Sequence, residues 1–580
     1  MQLRSVIRSV IRSASVAVAC VGAVAAPAAR LAAQPSSTLT ARLDSVFASV
    51  DSTTTPGCAV GISQANRPAA YRSYGLANLE HPVPIDTLTV FEAGSVSKQF
   101  TAAAVLLLSQ QKLLSLNDPV RRWIPELWVG LPAFTVGDLL YHVSGLRDYG
   151  DLFELGGWPR GTRRYDNTDA LGMLSRQRAL NFTPRAEYLY SNSGYVLAAI
   201  IVARASGTSF SEYTQRAIFS PLGMTHTSWR DDYTRIVPRR AQGYSRSESD
   251  GGTWVLDMPF ENGVGNGGLL TTVADLMRWQ ARFGPNPPSP IGGPAFVTAM
   301  EQQITLTTGR LSGYALGLEI DTIAGERTVA HGGWTAGYKS YVGRVPTRGT
   351  SVALLCNAGS LNTEEVGAVL LAIAAGLPMG AYYAEPQLGA AADLLDQASL
   401  GRFAGSYRSS RTRQAVRVRA HANGITVNSW TGYRRTTDSS FTALTGDRVI
   451  TFRFDAAKRP TGYVIRQAND AVAYERVEAW TPNAVERASL VGRYRCKEAD
   501  AVVEIVQRAG GLAFRRRGRL DDQLVPRYRD AFTIGDLGWL LTVRREARRR
   551  VIGLDLGGTR SRTVPCVRVP GTLSASRPGP

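Results

Sequence analysis

The sequence predicts an α+β domain followed by two small antiparallel β-barrels. Short alternating segments occur at residues 57–76 and again at 314–356, and the chain between them reads as helices joined by loops. A later segment repeats itself at an offset of about 90 residues. Strands from both ends of the first domain must bury their apolar faces, so we expect them to share one sheet packed against helices, an α/β sandwich.

Hydrophobic periodicity places the elements of the first domain. Residues 57–62 and 71–76 alternate like the two strands of a hairpin. Further strands are predicted at 314–320, 328–330, 338–345 and 351–356, and helices at 101–107, 135–142, 196–202, 273–283 and 364–375.

The repeat begins with two similar stretches, residues 398–408 and 488–495, which share Ala-Ser-Leu and then Gly-Arg before an aromatic residue. Each copy continues with short alternating strands and many turns, which is typical of a small antiparallel barrel similar to a lipocalin. We therefore place the barrels at 394–482 and 486–571, and the first domain at 34–385. Residues 379–393 look like a linker.

The chain opens like a secretory signal peptide. Residues 1–12 are basic, residues 14–29 are apolar with small side chains, and Leu-Ala-Ala-Gln follows at 31–34. We expect a bacterial-type signal over residues 1–33 with cleavage after Ala33, and hence an exported protein, periplasmic or secreted. The apolar run is too short and too rich in alanine for a membrane anchor.

The net charge of +19 sits almost entirely in the last third of the chain. Residues 401–580 hold 34 of the 66 Lys and Arg residues but 16 of the 47 Asp and Glu residues. Arginine runs at 515–519 and 544–550 could contact an anionic surface of the cell envelope, although solvated strand ends and turns explain them as well. Nucleic acid is not expected as a partner, because an exported chain with no recognition motif gives it no support.

Four cysteines remain after the signal. Cys496 falls in the first strand of the second repeat and Cys566 in its last. These strands adjoin in a closed barrel, so a disulfide between them is a hypothesis for an oxidising compartment. Cys58 and Cys356 could lie on neighbouring strands, but two buried free thiols are the expectation there. There is no Cys-x-x-Cys or His-Glu-x-x-His motif, so neither a metal nor another cofactor is expected.

Ser95 and Lys98 form the first candidate catalytic pair, at the point where a strand-like segment gives way to a helix. Residues three apart share a helix face, so the two side chains can touch. A serine hydroxyl needs a neighbouring base to become a nucleophile, and a buried lysine can have its pKa lowered enough to help. The spacing alone is weak evidence, since Ser109 and Lys112 share it.

Two further segments carry candidate site residues. Tyr190 and Asn192 lie at a loop-to-helix junction, where the phenol could relay a proton and the amide could orient a substrate carbonyl. A helix cap is the plain alternative. His331, followed by Gly332 and Gly333, lies at a predicted strand end, where glycines allow a backbone to approach a ligand and histidine offers a proton donor or a cation. A glycine turn explains that segment equally well.

Together these segments resemble the serine β-lactamase and penicillin-binding-protein superfamily, in its class C-like branch. That family combines Ser-x-x-Lys, Tyr-x-Asn and Lys-Thr-Gly or a variant such as His-x-Gly, in the order found here. Residues 139–146 (Leu-Leu-Tyr-His-Val-Ser-Gly-Leu) and 267–276 (Gly-Gly-Leu-Leu-Thr-Thr-Val-Ala-Asp-Leu) look like two flanking segments of the same family. The resemblance covers about residues 38–377 and implies a β-lactamase/transpeptidase-like catalytic domain.

The resemblance implies a serine hydrolase that forms an acyl-enzyme on Ser95, with Lys98 and Tyr190 sharing the proton transfers. Asn192 would position the substrate, and the backbone N–H groups of Ser95 and Trp334 would form the oxyanion hole. His331 and Gly333 would help bind the substrate or organise the site. Two C-terminal barrels also resemble the three-domain D-aminopeptidases, in which a barrel loop reaches the active site; the barrels here are too divergent to assign that loop.

A peptidase or amidase acting on small peptides or amides, similar to a D-aminopeptidase or a D-Ala-type carboxypeptidase, is therefore the leading hypothesis. An esterase or a β-lactamase of the same family stays open, although His-Gly-Gly in place of Lys-Thr-Gly weakens the case for a β-lactam carboxylate. A penicillin-binding sensor without turnover, or a surface-binding module, are the alternatives from other functional classes. The sequence leaves the oligomeric state open.

Overall fold

The computed structural model describes residues 37–378 and 400–570, apart from 49, 51–52, 66, 68, 159–160, 162, 248–250, 286–290, 422–423, 429–430, 445–447, 468–469, 536 and 547–549. The predicted signal peptide and linker lie outside these residues. Within them, no helix has the length and apolar character needed to cross a bilayer.

The first domain mixes short and long strands. In chain order these are β1 (Cys58–Ser63), β2 (Ala70–Tyr74), β3 (Leu76–Asn78), β4 (Val83–Pro84), β5 (Phe91–Glu92), β6 (Ser228–Trp229), β7 (Tyr244–Arg246), β8 (Trp254–Leu256), β9 (Leu269–Thr271), β10 (Glu319–Ile323), β11 (Glu326–Thr335), β12 (Tyr338–Val345) and β13 (Thr350–Cys356).

Its helices are α1 (Ser37–Phe47), α2 (Ser97–Gln110), α3 (Val120–Trp123), α4 (Val136–Leu140), α5 (Tyr149–Leu155), α6 (Asn167–Leu174), α7 (Asn192–Ser206), α8 (Phe210–Thr214), α9 (Val273–Ala281), α10 (Ala295–Glu301) and α11 (Thr363–Ala375). Most lie between β5 and β10, in the region where the sequence predicts helices.

A six-stranded sheet in the order β10-β11-β12-β13-β1-β2 forms the centre of the domain. β1 pairs with β13 in an antiparallel register, so strands from the two ends of the domain meet in one sheet as predicted. Helix α11 covers one face and α9 the other. Because both faces are buried, β13 reads as a continuous apolar run rather than an alternating one.

The strand predicted at 314–320 begins later in the structure, as β10 at Glu319. Gly317 adopts a left-handed conformation (φ +71°) and packs so closely against α2 that a Cβ there would lie 2.7 Å from the backbone of Lys98. This turn uses residues that the pattern assigned to the strand. Helix α4 is also shorter than predicted and ends before His142, which has a φ of +59°.

Two closed eight-stranded antiparallel barrels follow, and the predicted fold class is confirmed. Barrel 1 contains β14 (Gly405–Ser409), β15 (Ala415–His421), β16 (Gly424–Val427), β17 (Thr431–Arg435), β18 (Ser440–Ala443), β19 (Val449–Phe454), β20 (Pro460–Gln467) and β21 (Asp470–Val477). After helix α12 (Ala484–Leu490), barrel 2 contains β22 (Gly492–Cys496), β23 (Ala501–Arg508), β24 (Gly511–Arg515), β25 (Asp522–Tyr528), β26 (Ala531–Ile534), β27 (Trp539–Arg545), β28 (Val551–Gly557) and β29 (Val564–Val569).

The internal repeat is visible in the first strand of each barrel. Tyr407 and Tyr494 are both buried, and each hydroxyl donates to a carbonyl four residues earlier, at 2.8 and 2.6 Å. Each first strand also pairs with the last strand of its barrel. The two copies therefore close in the same way.

Two disulfides link strands that are adjacent in space. Cys496–Cys566 joins β22 and β29, which confirms the hypothesis for the second repeat. The expectation of free thiols at Cys58 and Cys356 was wrong, because these residues face each other across β1 and β13 and form the second disulfide. The strand assignment was correct, but the sequence pattern does not reveal the register that brings the sulfur atoms together.

Barrel 2 packs directly on the first domain, and their apolar residues belong to one buried cluster. At this interface the Arg147 side chain, only 2% exposed, pairs with Glu498. It also donates to the carbonyl oxygens of Arg562 and Thr563, at 3.0 Å each. The segment between β28 and β29 is thereby fixed against the first domain.

Candidate active site

Ser95 lies in a single 3-10 turn, Gly94–Val96, which leads directly into α2. Gly94 makes this turn possible with a φ of +50°. A Cβ on Gly94 would lie 2.6 Å from the backbone nitrogen of Trp334, so only glycine allows the turn to approach β11 this closely. The Ser95 turn therefore packs against strand β11 at the beginning of a buried helix.

Lys98, the second residue of α2, is fully buried, and its Nζ contacts three oxygen atoms. They are Ser95 Oγ at 2.9 Å, Asn192 Oδ1 at 3.0 Å and the carbonyl oxygen of Asn266 at 2.7 Å. Burial, followed by the nearby positive charge of Arg560, holds the pKa of Lys98 well below its usual range. A neutral amine in this position can accept the Ser95 proton.

Tyr190 and Asn192 reach the same point from the start of α7. The Tyr190 ring centroid lies 4.9 Å from Lys98 Nζ. Burial raises the pKa of Tyr190 well above its usual value, whereas its hydrogen bond with Ser95 and the charge of Arg560 act in the opposite direction. Asn192 is held by its backbone N–H, which donates to Asp148 Oδ2 at 2.6 Å.

Strand β11 brings Gly333 and Trp334 against the Ser95 turn. A Cβ on Gly333 would lie 2.2 Å from the carbonyl oxygen of Ala93 and 3.1 Å from the Ser95 nitrogen. The backbone of β11 thus approaches the Ser95 N–H closely, as the proposed oxyanion hole requires. The Trp334 side chain is 66% exposed and forms part of the cavity wall.

His331 lies within β11 rather than at a strand end, and it is neutral. Burial, followed by the charge of Lys98, lowers its pKa to about 3. Its Nδ1 lies 2.6 Å from the Gly332 carbonyl and so carries the proton, and its Nε2 accepts a hydrogen bond from the Tyr314 hydroxyl at 2.9 Å. These contacts favour a role in organising the site over a role as a cation.

All seven residues singled out in the sequence surround one region, but several neighbours were missed. Asn266 contacts Lys98, Asp148 holds Asn192, and Tyr314 holds His331. Tyr314 begins a predicted strand and Asn266 directly precedes the segment 267–276 of the resemblance, yet nothing in their local pattern marks them as site residues. His142, the last residue of the helix predicted at 135–142, accepts the Ser191 N–H through Nδ1 at 3.1 Å, and its ring lies 4.3 Å from the Tyr190 ring.

Arg560 lies on the segment between β28 and β29 of barrel 2. The sequence alone did not predict it as a site residue. Its guanidinium lies 4.8 Å from the centroid of the Tyr190 ring. Its backbone N–H donates to Asp151 Oδ2 at 2.9 Å, and its carbonyl accepts from Asn181 at 2.9 Å. Barrel 2 therefore supplies a cation to the site, and its backbone is anchored on both sides.

The site opens into a cavity of about 790 Å³ that both domains line. Ser95, Tyr190 and Asn192 lie in its wall together with Arg560. Aromatic and apolar side chains from both domains complete the wall: Phe153, Trp158, Tyr165, Leu537 and Trp539. The arrangement combines a serine beside a neutral amine, a phenol, an amide and a close backbone strand, which together can perform acyl transfer.

The family model described as beta-lactamase matches residues 43–377. Penicillin-binding protein 4* of Bacillus subtilis (strain 168) is 30% identical over 361 residues, which cover 58% of this chain and 76% of that protein. A D-aminopeptidase of Cereibacter sphaeroides is 26% identical over 538 residues, covering 89% of this chain and 96% of that protein. The octameric penicillin-binding protein homologue from Pyrococcus abyssi has a similar fold, with a TM-score of 0.53, 21% identity and coverage of 75% of this chain and 98% of that one. Since the family model spans more than half of the sequence, the chain belongs to the β-lactamase family.

Proposed function

We propose that this protein is a serine peptidase or amidase that forms an acyl-enzyme on Ser95. The observation that carries the proposal is the 2.9 Å contact between Lys98 Nζ and Ser95 Oγ. A lysine with a lowered pKa beside a serine at the entrance of a cavity is an activated nucleophile. Membership of the β-lactamase family supports the same chemistry.

In the proposed reaction Ser95 Oγ attacks the substrate carbonyl carbon while its proton passes to Lys98, directly or through Tyr190. The negative charge on the carbonyl oxygen is held by the N–H groups of Ser95 and Trp334, an effect worth about 3–4 kcal/mol in comparable sites. The C–N bond then breaks, and the leaving amine takes the proton. Water cleaves the resulting ester and regenerates Ser95.

A D-aminopeptidase-like activity is the specific form that we favour over esterase and β-lactamase activity. The D-aminopeptidase of Cereibacter sphaeroides aligns over 89% of the chain, so the similarity extends past the catalytic domain into the barrels. His331 stands at the position of the lysine in Lys-Thr-Gly and is neutral, so that position offers no positive charge to a β-lactam carboxylate, which supports this preference.

Intact mass spectrometry tests the nucleophile. The mature protein is treated with a fluorophosphonate and, separately, with a penicillin, each beside Ser95→Ala. We expect a stoichiometric adduct that is absent in the variant. Decay of the penicillin adduct with time identifies a hydrolase, whereas a permanent penicillin adduct favours the penicillin-binding sensor. Absence of any adduct would contradict the proposal and favour the surface-binding module.

A panel of D- and L-amino acid amides, dipeptides, esters and a chromogenic cephalosporin then separates the activities. We expect hydrolysis of D-amino acid amides or short D-peptides with kcat/KM at least tenfold above that for the esters and the cephalosporin. A preference for the cephalosporin would make the protein a β-lactamase.

We also propose that the protein is exported through residues 1–33. The sequence of that segment supports this, and so do the two disulfides, because disulfides persist mainly in oxidising compartments. Expression of the full chain in a bacterium should give a mature protein that begins at Gln34 in the periplasm or medium. An uncleaved chain in the cytoplasm would contradict export.

A further inference from the structure

Most charged side chains that line the catalytic cavity are paired within the protein. Glu92 pairs with Arg230 at 2.7 Å, and Glu154 pairs with Arg516 at the same distance. Other lining carboxylates accept hydrogen bonds or lie near a cation: Asp148 accepts from Asn192, Asp151 from Arg560, Asp257 from Ser245, and Glu261 lies 3.8 Å from Arg230. Glu92, Glu154 and Glu261 thus lie beside an arginine, whereas Asp148, Asp151 and Asp257 accept hydrogen bonds from neighbouring groups of the protein.

Three charged lining side chains differ: Glu319, Glu364 and Arg560 have no side-chain hydrogen bond or ion pair to any other residue that the structure describes. Glu319 is the first residue of β10 and lies across from Ala330, beside His331. Arg560 belongs to barrel 2 and lies over the Tyr190 ring. Glu364 lies near the positive charge of Lys339, so Glu319 is the carboxylate and Arg560 the guanidinium that remain for a ligand in this cavity.

The position of Glu319 in the cavity wall suits a cationic group of a ligand. Glu319 keeps contact with solvent, but partial desolvation by the surrounding protein, followed by the negative charges of Glu364 and Asp321, raises its pKa to about 7. An ammonium group bound beside Glu319 would favour the ionised carboxylate and so lower the pKa of Glu319 again. Lys98 is too far to form an ion pair with it, and its Nζ already contacts three oxygen atoms.

Arg560 is suited to the complementary group. A guanidinium presents its N–H groups as a planar fork that fits a carboxylate with two parallel hydrogen bonds. The Arg560 backbone, not its side chain, anchors the segment through Asp151 and Asn181. The side chain is thus left available, while stacking on Tyr190 keeps it within the catalytic cavity.

We propose that the cavity binds short peptides with both termini free, with Glu319 facing the ammonium group and Arg560 facing the carboxylate. This inference rests on the proposed peptidase function and narrows its substrates to zwitterions. The cavity volume of about 790 Å³ suits a ligand of a few residues.

The test measures how well unreacted peptides protect Ser95 from a neutral fluorophosphonate, so it does not require turnover. The probes are di- and tri-D-alanine, their N-acetyl derivatives and their C-terminal amides. In the wild-type protein we expect N-acetylation and amidation each to weaken protection at least tenfold. Glu319→Gln should abolish only the effect of N-acetylation, and Arg560→Gln only the effect of amidation.

Matched controls separate local recognition from total charge. Glu80→Gln removes an exposed carboxylate of the catalytic domain that is not among the lining residues described, and Arg527→Gln removes an arginine from an exposed part of barrel 2. Both control variants should keep the wild-type preference for a free N-terminus and for a free C-terminus. If Glu319→Gln and Arg560→Gln discriminate like the wild type, or if the free peptides give no protection while Ser95 reacts, the inference is wrong. If wild-type Ser95 does not react, the proposed function fails and this inference fails with it.

Discussion

Gly333 is the residue at which the structure tolerates least change. A Cβ there would lie 2.2 Å from both the Ala93 carbonyl and Ser340 Oγ, and the Ser340 hydroxyl itself donates to that carbonyl at 2.7 Å. Gly333→Ala must therefore move β11 away from the Ser95 turn. Because the proposed oxyanion hole depends on this approach, we expect kcat/KM to fall by about 10²–10³.

Gly172→Ala is the control for this prediction. A Cβ at Gly172, within α6, would meet nothing within 4 Å. Activity should stay at the wild-type level and the helix should gain up to about 1 kcal/mol. Equal activity of the two variants would show that β11 does not have to lie so close to Ser95.

The charge of Arg560 should be visible in the pH dependence of Ser95 labelling. Lys98 must be neutral to accept the serine proton, so the rate should fall on the acid side as Lys98 becomes protonated. Arg560 lowers the pKa of Lys98, whereas Asp148 and Glu319 raise it. Removing the cation in Arg560→Gln should raise the pKa of Lys98 and move the acid limb to higher pH.

Fluorophosphonate labelling rates measured across the pH range check this shift. Arg560→Lys retains a positive charge and should keep the limb close to its wild-type position. A shift to lower pH in Arg560→Gln would mean that Lys98 does not set the acid limb.

The residues that sequence could predict are those in short, ordered motifs. Ser95 and Lys98 share a helix turn, and Tyr190 with Asn192 marks the start of another helix, so local spacing already carries their geometry. Asn266 contributes a backbone carbonyl, which any residue could provide. Arg560 lies 462 positions after Lys98 in the chain, and only docking of the barrel brings it to Tyr190.

At the scale of elements, long strands were more predictable than the turns between them. β12 occurs at residues 338–345 as predicted, because its tyrosines and valines are residue types that favour strands. The start of β10 was misplaced, since the position of Gly317 depends on its contact with Lys98 rather than on the local pattern. Contacts between elements decide such boundaries.

The disulfides fix two strand pairs with different consequences. Cys58–Cys356 closes a loop of 298 residues and Cys496–Cys566 one of 70. In the chain-entropy model the longer loop gives the larger stabilisation, within a usual range of about 2–4 kcal/mol. We therefore expect Cys58→Ser/Cys356→Ser to lower the unfolding temperature of the catalytic domain more than Cys496→Ser/Cys566→Ser lowers that of barrel 2.

The second pair should have an additional effect on substrates. Cys566 follows the Arg560 segment closely, and Cys496 precedes Glu498, which pairs with Arg147. Cys496→Ser/Cys566→Ser should thus reduce peptide protection of Ser95 while fluorophosphonate labelling continues. Differential scanning calorimetry with the labelling assay measures both effects. Equal peptide protection in the two double variants would contradict this link.

Across the whole molecule, the repeat was predictable and its docking was not. Two copies of a similar sequence predict two similar barrels, but their outer residues do not specify which barrel contacts the catalytic domain. The arginine run at 515–519 illustrates this, because Arg516 pairs with Glu154 and Asp522, and Arg515 with Glu504 and Asp521. A contact of the barrels with an anionic surface stays a prediction.

The Arg147–Glu498 pair should control the attachment of barrel 2. The side chains are 2% and 9% exposed, so Glu498→Gln leaves the charge of Arg147 buried without its partner. Removing one partner of a buried pair costs about 3–5 kcal/mol. In Glu498→Gln we expect barrel 2 to unfold at a lower urea concentration than the catalytic domain, which gives two separate unfolding transitions. In the wild-type protein we expect the two domains to unfold together.

Arg176→Gln provides the matched control at the same interface. Arg176 pairs with Asp500 at 2.6 Å, but the two side chains are 45% and 54% exposed. An exposed pair contributes about 0–1 kcal/mol, so this variant should unfold like the wild type. Urea unfolding followed by intrinsic fluorescence, with limited proteolysis to identify the released domain, distinguishes the outcomes.

Arg147→Met combined with Glu498→Leu should recover much of the coupling between the two domains, because it removes both charges from the interface. If Glu498→Gln and Arg176→Gln behave alike, apolar packing rather than this buried pair holds barrel 2 over the active site.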